Sequence, residues 1–363
     1  MIVCEKCFSD AELVSIIRSK ECIGNCPICN HRNVYIYDTD KYDELTVLLD
    51  DFVSIYTPVS MLPSTFPKDK TQLLKNELIN NWHIFSSENE SVVYRIISSV
   101  LKDKYESESE LFDYPIGIKE LYDFEYLSGH SLLKTNSWDG FVEALKNRNR
   151  FHTHYLDLKL LERFFSYIRK PYKAGTIFYR SRLSTKAGLT CDEMGAPRSE
   201  KAPDGRANAC GIRCLYLGNE EETTIYEVRA GLYDYVTVGK FVLKRDVIVV
   251  DFKQINLISP FLEGLDCMEY AINKEHLNKI SNEMSKVMRR SDSILDYIPT
   301  QYITDFVKSI KHDGVTEYAG IEYKSVMYNK GYNMAVFDPE LFECVETKVY
   351  RIDTMDYDRS RVL

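Results

Sequence analysis

The segment Asp204-Gly-Arg-Ala-Asn-Ala-Cys-Gly211, continuing through Leu215-Tyr-Leu217 into Glu220-Glu-Glu-Thr-Thr-Ile-Tyr-Glu-Val-Arg229, commits this chain to a mixed α+β fold. Gly205 and Gly211 lack a Cβ, so the backbone there can approach a ligand closely. Arg206 between them offers a planar fork that binds a phosphate or carboxylate through two hydrogen bonds. Leu215-Tyr-Leu217 is a short apolar run of strand type. Residues 220–230 space their apolar positions as a helix does. A basic loop, a strand and a helix carrying Glu227 thus follow one another.

Outward from this segment, strands are expected at 176–182, 214–217, 236–243, 247–252 and 334–338, with a helix at 275–290. Such a mixture is α+β in class. From 171 to 215 there are eight Lys or Arg against four Asp or Glu, a local +4 in a chain of net charge −9. Local positive charge in an acidic protein points to an anionic ligand. The overall charge argues against bulk attraction to nucleic acid or to an anionic membrane.

Residues 41–170 read as helical, with apolar positions at three-to-four spacing around 42–53 and 158–168. Pro171 and Gly175 then stop the pattern and mark a domain boundary. Arg148 and His152 are four apart, a spacing that helical nucleases use but that is common on solvated helix faces.

The start of the chain differs again. Cys4-Glu-Lys-Cys7 and Cys26-Pro-Ile-Cys29 are two CxxC pairs with 18 residues between them, a zinc-ribbon spacing. Four thiolates close a tetrahedral shell with no open position, so Cys4, Cys7, Cys26 and Cys29 are expected to hold a structural zinc. Cys22 and His31 are spare donors able to replace one of them. The expected domains are a zinc ribbon at 1–40, a helical regulatory or sensing region at 41–170 and a catalytic domain at 171–363. Hydrophobic residues make up 44% of the 363, enough for real cores. No leader-like or membrane-spanning apolar run is present, so the expectation is a soluble, cytoplasmic protein.

The ordered set Phe178-Tyr-Arg180, Gly205-Arg-Ala-Asn-Ala-Cys-Gly211, Leu215-Tyr-Leu217, Glu227, Tyr323-Lys-Ser325 and Asn333 resembles the RES family. Residues 1–170 resemble the zinc-ribbon-plus-helices module found ahead of some RES domains. The resemblance implies a fold related to ADP-ribosyltransferases and cleavage of the nicotinamide–ribose bond of NAD⁺, as a toxin or anti-phage effector. It also implies a neutralising or regulatory partner protein, and homo-oligomers are a further expectation.

On that basis Arg180, Tyr216, Glu227 and Ser325 are the expected catalytic residues. Tyr179, Arg206, Asn208 and Asn333 are expected to bind the dinucleotide. Glu227 would stabilise positive charge on the ribose. Tyr216 or Tyr179 would stack on the cationic nicotinamide. Arg180 and Arg206 would hold the pyrophosphate or an attacking phosphate, and Ser325 and Asn333 would orient ligand or water. Water, phosphate and a protein side chain all stay open as acceptors. ADP-ribosyl transfer to a protein and a non-catalytic nucleotide-binding module are the alternatives.

Overall fold

The structure is a computed structural model that describes residues 1–288 and 293–355. It divides into two compact units, Met1–Ser131 with Ile258–Lys274, and Leu132–Leu257 with Glu275–Leu363. Residue 171 lies inside the second unit. No helix among the described residues is long and apolar enough to cross a membrane.

In the first unit, β1 (Ile2–Cys4), β2 (Ile23–Gly24) and β3 (Val34–Asp38) form a small antiparallel sheet in the order β1-β3-β2. The helix Ala11–Ser19 begins where the Asp10 carboxylate accepts the N–H groups of Glu12 and Leu13. Helices Glu44–Val53 and Glu90–Val100 follow, each burying one apolar stripe. The helical expectation for 41–170 missed a second small sheet here, made of β4 (Thr57–Pro58), β5 (Gln72–Leu73) and β6 (Pro115–Gly117). Its strands are too short to show a period of two.

The second unit is built on an eight-stranded sheet. Its strands are β7 (Arg169–Tyr172), β8 (Ile177–Ser184), β9 (Leu215–Gly218), β10 (Tyr235–Leu243) and β11 (Val247–Asp251), then, past the small hairpin β12 (Lys311–His312) and β13 (Val315–Thr316), β14 (Gly320–Lys324), β15 (Tyr332–Val336) and β16 (Phe342–Arg351). The order is β16-β10-β8-β9-β15-β14-β11-β7, with β11 and β14 the parallel pair. Five of the eight lie where the sequence places strands. β7, β14 and β16 do not, because Pro171, Glu322 and the charges of β16 break the apolar signal.

One face of the sheet carries a core around Phe178, Leu215, Leu217, Phe241, Val249, Met334 and Phe342. On β14 the same core face sets the fully buried Glu322 carboxylate between Lys170, Lys253 and the Tyr172 hydroxyl. This network ties β7 to β14 and leaves the neighbouring Tyr323 to point the other way.

The helix Cys267–Met284 starts eight residues before the expected helix, and residues 289–290 of that expectation lie outside the described residues. The helix Trp138–Asn147 stops before Arg148, so Arg148 and His152 share no helix face and the nuclease spacing has no structural counterpart.

Candidate active site

The sheet opens between β8 and β9, which share one rung, Tyr179 to Gly218. Arg180 sits at this opening and donates from Nη1 to the Tyr216 carbonyl at 3.3 Å. Its Nε is buried and has no hydrogen-bond partner, and among the described residues no carboxylate pairs with it. Burial holds the guanidinium below its ordinary pKa, at about 10, so it stays charged at neutral pH. A buried cation with an idle donor is a standing cost unless an anion completes it.

Glu227 arrives from the opposite side. The helix Glu221–Glu227 is short, and tight seating rather than length fixes it. Thr223 and Thr224 are buried, and the Thr224 and Ser181 hydroxyls lie 2.6 Å apart. A Cβ on Gly331 would stand 2.0 Å from Thr223 Oγ1, so only glycine lets the β15 turn approach this helix. Glu227 Oε1 accepts from Ser325 Oγ and from Asn333 Nδ2, each at 2.7 Å. Ser325 Oγ in turn accepts the backbone N–H groups of Met327 and Tyr328, which fixes the serine. Both donors converge on one carboxylate oxygen. Oε2 carries no hydrogen bond among the described residues.

Arg180, Tyr216, Glu227, Asn333, Arg206 and Arg229 line one cavity of about 500 Å³, together with Tyr297 and Tyr323. That volume lies in the range of small-molecule sites. Tyr216 is fixed at its tip, where its hydroxyl donates to Asn208 Oδ1 at 2.6 Å and accepts the Ala207 N–H at 3.0 Å. Burial raises its phenol well above the ordinary tyrosine range, so the ring is neutral.

Asn208 also donates from Nδ2 to the carbonyls of Pro203, Ala209 and Ile212. It holds the loop and does not line the cavity. Arg206 lines the cavity but donates to the Glu283 carbonyl at 2.6 Å and to the Lys286 carbonyl, with its guanidinium 5.7 Å from the Tyr323 ring centre. Tyr179 packs on the cluster of Ala230, Val236 and Val238 and does not line the cavity. Of the two tyrosines considered for stacking, the structure brings only Tyr216 there.

Arg229 and Tyr323 stand in the quoted motifs, where they were given no role. Arg229 has a left-handed φ of 51° and donates from Nη2 to the Met288 carbonyl at 2.5 Å. Its signal was position, two residues past Glu227. Tyr323 sits directly opposite Asn333 across β14 and β15, so both share the cavity face.

Gly205 carries the loop-to-strand fit. A Cβ there would meet the Tyr216 hydroxyl at 2.4 Å and Asn208 Oδ1 at 2.7 Å. Gly205→Ala is therefore expected to displace the Tyr216 hydroxyl and lower stability by about 1–3 kcal/mol, the usual effect of overpacking. Thermal melting checks this, and an unchanged midpoint would show that the loop yields without strain.

The four amino-terminal cysteines form a second constellation. Their Sγ atoms all lie within 4.8 Å of one another, at 3.3 Å for Cys4 and Cys29 and 3.6 Å for Cys7 and Cys26. Those distances exceed the roughly 2.05 Å of a disulfide and approach the roughly 3.8 Å edge of a tetrahedral zinc–thiolate shell. The Cys7 thiol, by hydrogen bonding to Cys26, holds Cys26 down at about 4, while burial pushes Cys4 up to about 12. Cys22 faces the Tyr42 hydroxyl at 3.9 Å, outside the cluster. His31 Nδ1 lies 3.2 Å from Cys29 Sγ, beside a ligand atom rather than in place of one. The four residues can hold a metal ion.

The family model described as RES domain matches residues 177–359, half of the chain, and this span contains every residue of the cavity. No curated protein and no solved structure matches the chain.

Proposed function

The chain belongs to the RES domain family, and from that membership we propose that it consumes NAD⁺ by breaking the nicotinamide–ribose bond, with water or inorganic phosphate as acceptor. One observation carries the reading. Arg180, Glu227 and Asn333, distant in sequence, line one cavity, and Ser325 and Asn333 orient the Glu227 carboxylate within it.

As the bond breaks, its electron pair goes to the pyridine nitrogen and neutral nicotinamide leaves. The ribose carbon becomes oxocarbenium-like. Glu227 faces that developing positive charge and accepts a hydrogen bond from a ribose hydroxyl through its open Oε2. The acceptor oxygen then bonds the same carbon. Water yields ADP-ribose and releases a proton. Phosphate yields ADP-ribose-1″-phosphate. Arg180 holds a phosphoryl oxygen of the dinucleotide or the attacking phosphate through its idle Nε–H. Arg206 and Arg229 share the remaining phosphate charge, and Tyr216 stacks on the cationic ring. Kinship with ADP-ribosyltransferase folds is part of the same reading. So is a role as toxin or defence effector restrained by a partner protein, because depletion of NAD⁺ harms the cell that makes the enzyme.

The test is NAD⁺ loss by the purified chain, with and without inorganic phosphate, followed by product mass. Loss only with phosphate identifies a phosphorylase, and loss without it a glycohydrolase. Label from NAD⁺ retained on protein identifies transfer instead. NAD⁺ left intact under all conditions, by the full chain and by residues 132–363 alike, overturns the reading.

We also propose that Cys4, Cys7, Cys26 and Cys29 bind one structural zinc whose binding energy folds the first forty residues. Elemental analysis is expected to find one zinc per chain. Cys4→Ser with Cys29→Ser is expected to abolish it and to remove the first melting transition. A metal-free preparation with an unaltered melting curve would refute the site.

A further inference from the structure

The two edges of the eight-stranded sheet are unlike each other. β7 has four residues and contains Pro171, which blunts it against pairing. β16 has ten residues, no proline and no glycine, and most of it is exposed, with Val345 51% and Val349 41% accessible. Long open edges are templates for another strand, and proteins rarely leave them so.

The backbone fixes which residues would pair. The Ile352 N–H donates to the Asp234 carbonyl and the Ile352 carbonyl accepts the Tyr233 N–H, so Ile352 turns both groups inward. Alternation then turns Arg351, Val349 and Thr347 outward, and Tyr350, Lys348 and Glu346 inward. A second copy related by a two-fold axis must match outward with outward residues, so the axis passes through a single residue.

Few axes are open. Through Glu346 or Lys348, the axis sets like charges face to face. Through Val349 it sets Lys348 against Tyr350 and Thr347 against Arg351, with no ion pair. Through Thr347 it sets Glu346 against Lys348 on both sides and Val345 against Val349 beyond them.

Glu346 has no ion-pair partner among the described residues. Lys348 reaches Glu221 at 3.1 Å and stays half exposed. The strand has a bulge at Val345, where the register shifts between Lys240 and Phe241. The bulge lies outside the three central rungs and limits the regular pairing to them.

We propose that two copies of this chain associate through β16, antiparallel, about a two-fold axis at Thr347, joining their sheets into one. The pairing is short, so the dimer is weak and concentration-dependent.

Light scattering of the full chain over a concentration series is expected to show monomer passing to dimer. Thr347→Cys is expected to form a covalent dimer on oxidation, above the wild-type background. Cα atoms across such a rung lie about 5.5 Å apart, within disulfide reach. Val349→Cys alone is not expected to do so, because its copies would lie about 13 Å apart. Glu346→Lys is expected to weaken association about tenfold or more, and adding Lys348→Glu to restore it. A monomer throughout with no cross-link at Thr347→Cys overturns the proposal. So does a dimer in which the double exchange restores nothing, which would indicate another surface or an extended segment of a different protein on this edge.

Discussion

Glu227→Gln is expected to lower NAD⁺ turnover by about a thousandfold, the upper end of what removal of a single electrostatic stabiliser costs, while leaving the fold nearly unchanged and weakening dinucleotide binding far less than turnover. Ser325 Oγ and Asn333 Nδ2 both donate to Oε1, and a glutamine carbonyl oxygen accepts both bonds equally well. The helix keeps its seat on the buried Thr223 and Thr224. What is lost is the charge that, on the proposed reaction, faces the ribose as it becomes cationic, together with the acceptor at Oε2, which becomes an amide donor. Turnover and dinucleotide affinity, measured together, separate this from a structural effect. Retained turnover would remove Glu227 from the reaction and leave the cavity as a binding module.

Arg180→Met is expected to move binding and stability in different directions. The guanidinium is buried, has no carboxylate partner among the described residues and leaves Nε without an acceptor. On the proposed function, removing it takes away the cation that would hold a phosphoryl oxygen. Dinucleotide affinity should fall by about a hundredfold, roughly 2.7 kcal/mol, as for one charge-assisted hydrogen-bond set. The same change relieves the folded protein of an uncompensated buried charge, and a side chain of similar length fills the space. The melting midpoint is therefore expected to hold or rise. Titration calorimetry with NAD⁺ and thermal melting together test this. A fall in midpoint of several degrees would mean that Arg180 is a structural pin on the Tyr216 carbonyl, with no ligand to bind.

The strands that were legible, 176–182 and 236–243 among them, alternate or cluster apolar residues because one face meets the core around Phe178 and Phe241. β14 was hidden because it buries Glu322 amid apolar neighbours, and a charged residue at a core position inverts the local signal. β16 was hidden because it is an edge with both faces largely wet, so its polar pattern reads as loop. The extra small sheet at β4, β5 and β6 consists of two- and three-residue strands, below the length at which periodicity speaks. The order of Arg180, Glu227, Ser325 and Asn333 along the chain was enough to name them as a set.

Residue identity and spacing by themselves determined the four-cysteine cluster, because two CxxC pairs each bring two thiols together locally and need only one further closure. The ordered motifs also named Arg180, Tyr216, Glu227, Ser325 and Asn333 as candidates, through the family resemblance they carry. Only the tertiary structure decided which candidates meet. Tyr179 and Tyr216 were equal candidates and share one face of the sheet, but Tyr179 packs on the cluster of Ala230, Val236 and Val238 while Tyr216 lines the cavity. Asn208 proved to be spent on its own loop, and Arg229 and Tyr323, which had been given no role, line the cavity. Which donor is already taken depends on contacts that range from neighbours within one loop, as for Asn208, to residues 106 positions apart, as for Asn333 and Glu227. A one-residue slip in strand register would break the longer-range kind, because it turns every side chain of the strand to the other face.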